Sequence, residues 1–407
     1  GEGNYAIQFF GGRAGSLAAA RPVTAEQVQA HSRALKIETE LERIAKRESI
    51  LDGSQTPDQA LAVRDIDTPF DGPIYKRGSF QSLGKIVPRG FLSAVAISAR
   101  HDIPAKTSGR LQLAHWLTDP EHPLTSRVLV NRVWHHLFGQ GIVRTVDYFG
   151  VHGETPSHPE LLDFLAQRFR VDDEWSLKKT VRRMVMTRAY RMASTHHAEA
   201  ATRDPDNRLL WRMPRRRLNA ESIRDAMLTA SGRLDPARGG PSLGLELKGN
   251  IRGLGGKVNL PTWGGQIAGY IKNRRTVYLP FRRQRPAGEL DILSAFDFPH
   301  PSDIVGARPE TTVATQALFL MNSPFVKQQA AQLAARLAEE ETDESARVER
   351  LYLLTLNRPP GTDELKTAQT FLNQCAKDFA KARNPRQEAW TQLCHAVLGS
   401  NQFLFRE

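Results

Sequence analysis

Cysteine is nearly missing from this sequence: Cys375 and Cys394 are the two present in 407 residues. No C-x-x-C-H run occurs, so this chain carries no c-type haem attachment site of its own. No Cys/His set has the spacing of a structural zinc site. The two thiols fall on neighbouring predicted C-terminal helices. An antiparallel pair would bring them within bridging reach, but buried free thiols are the default expectation. Long apolar runs are missing too. No stretch of about 18 apolar residues appears, and no membrane span is expected. No signal peptide is found and the chain begins at Gly1, which reads as a fragment or a processed product. Neither a metalloprotease-type H-E-x-x-H nor a solenoid-length repeat is present.

Acid is the next absence, and it is local. Lys and Arg total 56 against 44 Asp and Glu, a net charge of +12. Arg170 to Leu290 holds 25 basic and 11 acidic residues, leaving the rest of the chain at −2. Between Leu247 and Gly288 there are nine basic residues and no acidic one. Arginine outnumbers lysine 42 to 14. A guanidinium grips carboxylate, sulfate or phosphate through two parallel hydrogen bonds. A codon bias would explain the ratio but not the clustering. Unneutralised charge of this density needs solvent, a ligand or a partner.

What is present reads as a mainly α protein. Hydrophobic residues make up 40% and charged residues 25%, which suits a globular core. Residues 1–52 read as a glycine-rich tail followed by one long helix, from the Thr24/Gln27 capping pattern to about Ile50. Residues 53–108 are rich in Pro and Gly and read as an irregular wrapping segment with short extended pieces. Residues 109–235 read as a helical domain, with helices near 109–118, 123–138, 158–170, 176–190 and 219–232. Residues 236–308 form an irregular, basic Gly/Pro/Arg-rich insertion. Its segment Thr276 to Phe281 is the best strand candidate. Residues 309–407 read as a C-terminal bundle, with helices near 311–321, 323–340, 343–356, 361–380 and 386–399. The expected fold is a multi-helix globular domain with this insertion and a small β element.

Several stretches resemble one known family. They are Leu111 to Leu117, His122 to Val128, Asn131 to Trp134, Phe138 to Val143, Asp147 to Gly150 and Ser157 to Asp163. Further on come Asp204 to Trp211, Arg216 to Leu218, Glu221 to Asp225, Thr315 to Leu318, Met321 to Phe325, Asn357 to Pro360 and Ser400 to Phe403. Over roughly residues 60 to 407 the chain is similar to the C-terminal domain of unknown function of planctomycete cytochrome-C-domain-containing proteins. That resemblance implies an exported, extracytoplasmic protein, periplasmic or secreted. It also implies that a c-type haem belongs to a preceding segment and that this chain has no cofactor of its own. It implies no activity.

Two polar clusters are candidate sites. The first is Asn131, Arg132, His135, His136, Asp147, His152, Glu154, His158 and Glu160. Acid, base and imidazole in one short span suit general acid–base chemistry or a metal, and which metal, if any, the spacing leaves open. In a hydrolase of acidic polysaccharide, Asp147 and Glu160 are the expected carboxylate pair and His158 the proton shuttle. The plainer reading makes Asn131 and Arg132 partners of loop carbonyls and His158 a helix cap. The second cluster is Arg212, Arg215, Arg216, Arg217, Glu221, Arg224 and Asp225. Arg217, Glu221 and Arg224 fall at i, i+4 and i+7, and an ion-pair ladder is the favoured reading for Glu221 and Arg224. The sharper reading is an anion grip in which Arg216 and Arg217 face Arg274, Arg275, Arg282 and Arg283. Trp263, Tyr270, Tyr278 and Phe281 accompany that stretch, as ligand platforms or as core. The leading expectation is a binding or scaffold domain that offers a basic surface to an anionic ligand, such as an acidic or sulfated polysaccharide, or to a partner protein or the rest of its own polypeptide. Nucleic acid ranks last, because no known nucleic-acid module motif is present.

Overall fold

A computed structural model describes residues 63–95, 97–98, 102–238, 273–279, 291–300 and 302–406. The predicted helix over residues 24–50 and most of the basic insertion lie outside the described residues. Among those described, about 49% are helical and 4% extended, in thirteen α-helices and two small antiparallel sheets. The chain is mainly α with a small β element. It divides into two compact units, between Leu129 and Val130.

In the first unit, β1 (Pro73–Tyr75) pairs antiparallel with β2 (Leu83–Ile86), with Pro73 opposite Ile86 and Tyr75 opposite Leu83. Helix α1 (Arg110–Leu117) buries Trp116, which stacks on Phe91 at 5.4 Å and meets the edge of His122 at 4.6 Å. The Nδ1 atom of His122 accepts the amides of Leu124 and Thr125 at 3.3 and 3.2 Å. This imidazole thus caps the start of α2 (Thr125–Phe138), a role usually filled by Ser, Thr, Asp or Asn.

The second unit begins within α2, where Trp134 and Phe138 stack at 4.1 Å. Leu162, Leu165 and Phe169 of α3 (Pro159–Val171) and Met184 of α4 (Leu177–Val185) are buried as well. After the short α5 (Ala198–Arg203) comes β3 (Arg216–Arg217). The main core follows, from α6 (Ala220–Ala230), α7 (Asp291–Ala295), α8 (Ala314–Asn322), α9 (Pro324–Glu340), α10 (Glu344–Leu356), α11 (Thr362–Asp378), α12 (Pro385–Leu398) and α13 (Asn401–Leu404). The sequence of α9 shows why: Val326, Ala330, Leu333, Ala334 and Leu337 recur at helical spacing and all are fully buried. Each buried Leu or Val contributes about 1.5–3 kcal/mol. Trp390 of α12 lies wholly inside this core.

The chain then returns. Strand β4 (Phe405–Arg406) pairs antiparallel with β3, setting Arg216 opposite Arg406 and Arg217 opposite Phe405.

The strand expected at Thr276 to Phe281 is corrected: Thr276–Tyr278 is a 3-10 turn. Side chains, not a sheet partner, take its polar groups. Asp225 accepts the Thr276 amide and hydroxyl at 2.9 and 2.6 Å, and Arg224 donates to the Arg274 carbonyl at 2.8 Å. The β element lies elsewhere, in β1–β2 and β3–β4. The helix expected to reach residue 190 stops at Val185, where the Thr187 hydroxyl turns back onto the Met184 carbonyl. Cys375 and Cys394 are both buried and free. Burial pushes both thiols above the ordinary cysteine value, Cys394 the further.

Candidate functional site: an arginine-lined cleft

The end of α2 builds the site. Phe138 is the last helical residue, and Gly139 follows at φ 91°, returning its amide to the His135 carbonyl at 2.8 Å. This is a left-handed C-terminal cap, which favours glycine. A Cβ at Gly139 would also lie 3.0 Å from the Cδ and Nε of Arg216, so the glycine leaves room for that stem. The next two carbonyls of α2 are taken by arginines from β3 and β4. Arg216 donates to the His136 carbonyl at 2.7 Å, and Arg406 to the Leu137 carbonyl at 3.0 Å. Cations at a helix C-terminus also suit its dipole.

Asn131, the seventh residue of α2, pins the loop that follows. Its amide nitrogen donates to the Val143 carbonyl at 2.9 Å and its oxygen accepts the Val143 amide at 2.8 Å. It is buried. The loop beyond carries Asp147, which accepts the Gly306 amide at 2.7 Å and lies 3.5 Å from Arg132. Residues 305–310 thereby form a strap along the cleft, fastened a second time where Arg308 donates to both oxygens of Glu221 at 2.9 and 2.7 Å.

Between these parts lies a cleft of about 860 Å³. Eight arginines line it, at 132, 144, 208, 215, 216, 217, 308 and 406, against three carboxylates, Asp206, Asp297 and Glu310. Its imidazoles are His135, His136 and His158. His135 and His136 lie 5.4 Å apart. Burial, and then the flanking charge of Arg216 and Arg132, hold both below the ordinary histidine value, and His136 adds to the effect at His135. The Nδ1 atom of His135 and the Nε atom of Arg216 are buried without a hydrogen-bond partner. The Nδ1 atom of His158 lies 2.9 Å from the Ser157 hydroxyl. Among the described residues no three His, Cys, Asp or Glu side chains come together as a metal would require.

Sequence reasoning named Arg132, His135, His136, His158, Arg215, Arg216 and Arg217, and all seven line this cleft. It brings together the two clusters that the sequence kept apart. Asn131 faces the loop instead. Glu160 is exposed in the first turn of α3, and neither it nor Asp147 lines the cleft.

The arginines of the basic middle require a correction. Arg217 is buried against Asp297 at 2.7 Å, and Arg224 against Asp225 at 3.3 Å. Arg274 is 3% exposed, donates to the Ala237 carbonyl and lies over the Tyr278 ring at 4.4 Å. These three guanidiniums and Tyr278 serve the interior: Arg217 meets the remote Asp297, Arg224 its neighbour Asp225 and the Arg274 carbonyl, and Arg274 the Ala237 carbonyl and the Tyr278 ring. Arg275 is half exposed, 4.0 Å from Asp225, away from the cleft. Trp263, Arg282 and Arg283 lie outside the described residues. The ladder of Arg217, Glu221 and Arg224 is absent. Arg217 sits on a strand, Glu221 pairs with Arg308, and Arg224 turns inward.

The charged cleft residues that sequence reasoning missed are Arg144, Asp206, Arg208, Asp297, Arg308, Glu310 and Arg406. They come from separate segments of the chain, and no single local pattern gathers them.

Known proteins add one finding. A family model described as PSD1, protein of unknown function (DUF1553), matches residues 109–372. No curated protein and no solved structure matches the chain.

Proposed function

Since that match takes in well over half of the sequence, the chain belongs to the DUF1553 family of proteins of unknown function, and we propose its role from the cleft itself: it binds an anionic ligand there. In this reading the chain is a non-haem binding or scaffold domain of an exported, redox-associated protein, and its ligand is an acidic or sulfated polysaccharide. The export and the redox association draw on the resemblance of its motifs alone. One observation carries the binding role: eight arginines line one cleft of about 860 Å³ and outnumber the five carboxylates paired with them, Asp147, Asp206, Glu221, Asp297 and Glu310. Guanidinium forks recognise planar and tetrahedral oxyanions, and a walled cleft focuses their field.

Dextran sulfate and neutral dextran columns test this across a salt series. Retention on the sulfated polymer that weakens with salt is expected. Equal retention on both polymers, insensitive to salt, would remove the proposal.

Hydrolysis of an acidic polysaccharide by Asp147 and Glu160 is the weaker reading. Two such carboxylates must flank one bond, whereas Asp147 is engaged by the Gly306 amide and Arg132 and neither acid lines the cleft. Release of reducing ends, abolished in both D147N and E160Q, would favour it.

A further inference from the structure

Within that cleft, and resting on the anion-binding reading, we propose that Arg216 and Arg406 form a subsite for one tetrahedral oxyanion, a phosphate or sulfate group borne by the ligand. The two residues are register partners on β3 and β4. Like charges directly opposite in a ladder repel, so the pairing calls for compensation. The structure supplies part of it through the His136 and Leu137 carbonyls, one for each guanidinium. The nearest carboxylate, Glu310, reaches only 4.0 Å from Arg216. Each guanidinium has five N–H donors, and one bond to a carbonyl leaves most of them for a ligand. On Arg216 the Nε is buried beside Gly139, so the terminal N–H groups are the ones that face a ligand.

Geometry selects the class of anion. A single fork saturates a planar carboxylate. A tetrahedral group has a third oxygen that lets it span both forks; a phosphate monoester, close to a dianion at pH 7, offsets both cations at once, and a sulfate ester, a monoanion, offsets one. Gly139 belongs to the same device, because a side chain there would press on the Arg216 stem. A purely structural role, in which both arginines only cap α2, makes the opposite prediction about ligands. It affects stability and leaves anion affinity alone.

Titration calorimetry with inorganic phosphate, sulfate and acetate at fixed ionic strength decides between them, on the whole chain. Phosphate and sulfate should bind one to one and at least tenfold more tightly than acetate. R406A should lose tenfold or more of the phosphate affinity, and R406K should recover only part of it, since an ammonium keeps the charge without the fork. Arg406 is exposed, and thermal melts of each variant show whether it folds. R216K is the second variant and should lose affinity in the same way. The subsite is overturned if wild-type protein binds phosphate and sulfate no better than acetate, or if a folded R406A keeps full affinity. Retention of R406A on dextran sulfate then separates the two ideas. If phosphate selectivity is absent while retention persists, the subsite fails and the cleft reading stands. Comparing glucose 6-phosphate with glucose 6-sulfate identifies which ester the subsite prefers, and tight binding of either supports it.

Discussion

Arginines that look alike in the sequence divide in the structure by what they meet. Arg217 meets Asp297, 80 positions away, with its side chain 5% exposed. Arg308 meets Glu221, 87 positions away. Arg216 and Arg406 meet helix carbonyls, and Glu310 lies 4.0 Å from Arg216. Residue type was therefore legible and destination was not, because the acids that decide it arrive from distant segments. D297A should leave a buried cation without its partner and cost about 3–5 kcal/mol, measured by urea denaturation. Asn131 shows the same limit in reverse. The sequence offered it both as a ligand residue and as a partner of loop carbonyls, and the plainer role holds: its amide closes both polar groups of Val143. N131A should cost about 1–3 kcal/mol for each group left bare. The same denaturation experiment checks it.

Helices were legible where apolar spacing and caps agree. Asn219 accepts the Ser222 amide at the start of α6, and Asn384 accepts the Gln387 amide at the start of α12. The short helices α5, α7 and α13 escaped, since segments of four to six residues carry too few periods to read. The turn at Thr276 read as a strand because β-branched and aromatic residues alternate there, while the side chains of Asp225 and Arg224 that fix it sit on another element. Element α11 offers a pH test. Arg358, and then the Gly361 amide, hold the Glu364 carboxyl down to about 2, against an ordinary value of 4.5. A carboxyl depressed in the folded state adds stability that is complete above its unfolded value. That stability fades as pH falls from about 4.5 through about 2. E364Q should be less stable than the parent at pH 7, and the gap in Tm should close across that window. Thermal melts from pH 7 to pH 2 check it.

At the scale of the molecule, the cleft gathers side chains from α2, the α5–β3 connection, the strap and β4, which is why no stretch of sequence displayed it. His135 and His136, both held below the ordinary histidine value by burial and flanking charge, also make it sensitive to pH. An anion beside His135 and His136 favours their protonated forms, so binding takes up protons and tightens as pH falls. Sulfate, which does not titrate in this range, should bind several-fold more tightly at pH 5.5 than at pH 8. H135N combined with H136N should flatten the dependence. Calorimetry in buffers of different ionisation heat checks the proton uptake. The β3–β4 ladder has one last consequence. It is two residues long, and it brings Arg406 to a carbonyl 269 positions earlier in the chain. So short a seam is expected to peel open before the helical core melts. A small ion seated across it would act as a clasp. Its occupancy would then be recorded by slowed deuterium exchange at one backbone position, the Leu218 amide that bonds to the Leu404 carbonyl at 2.7 Å.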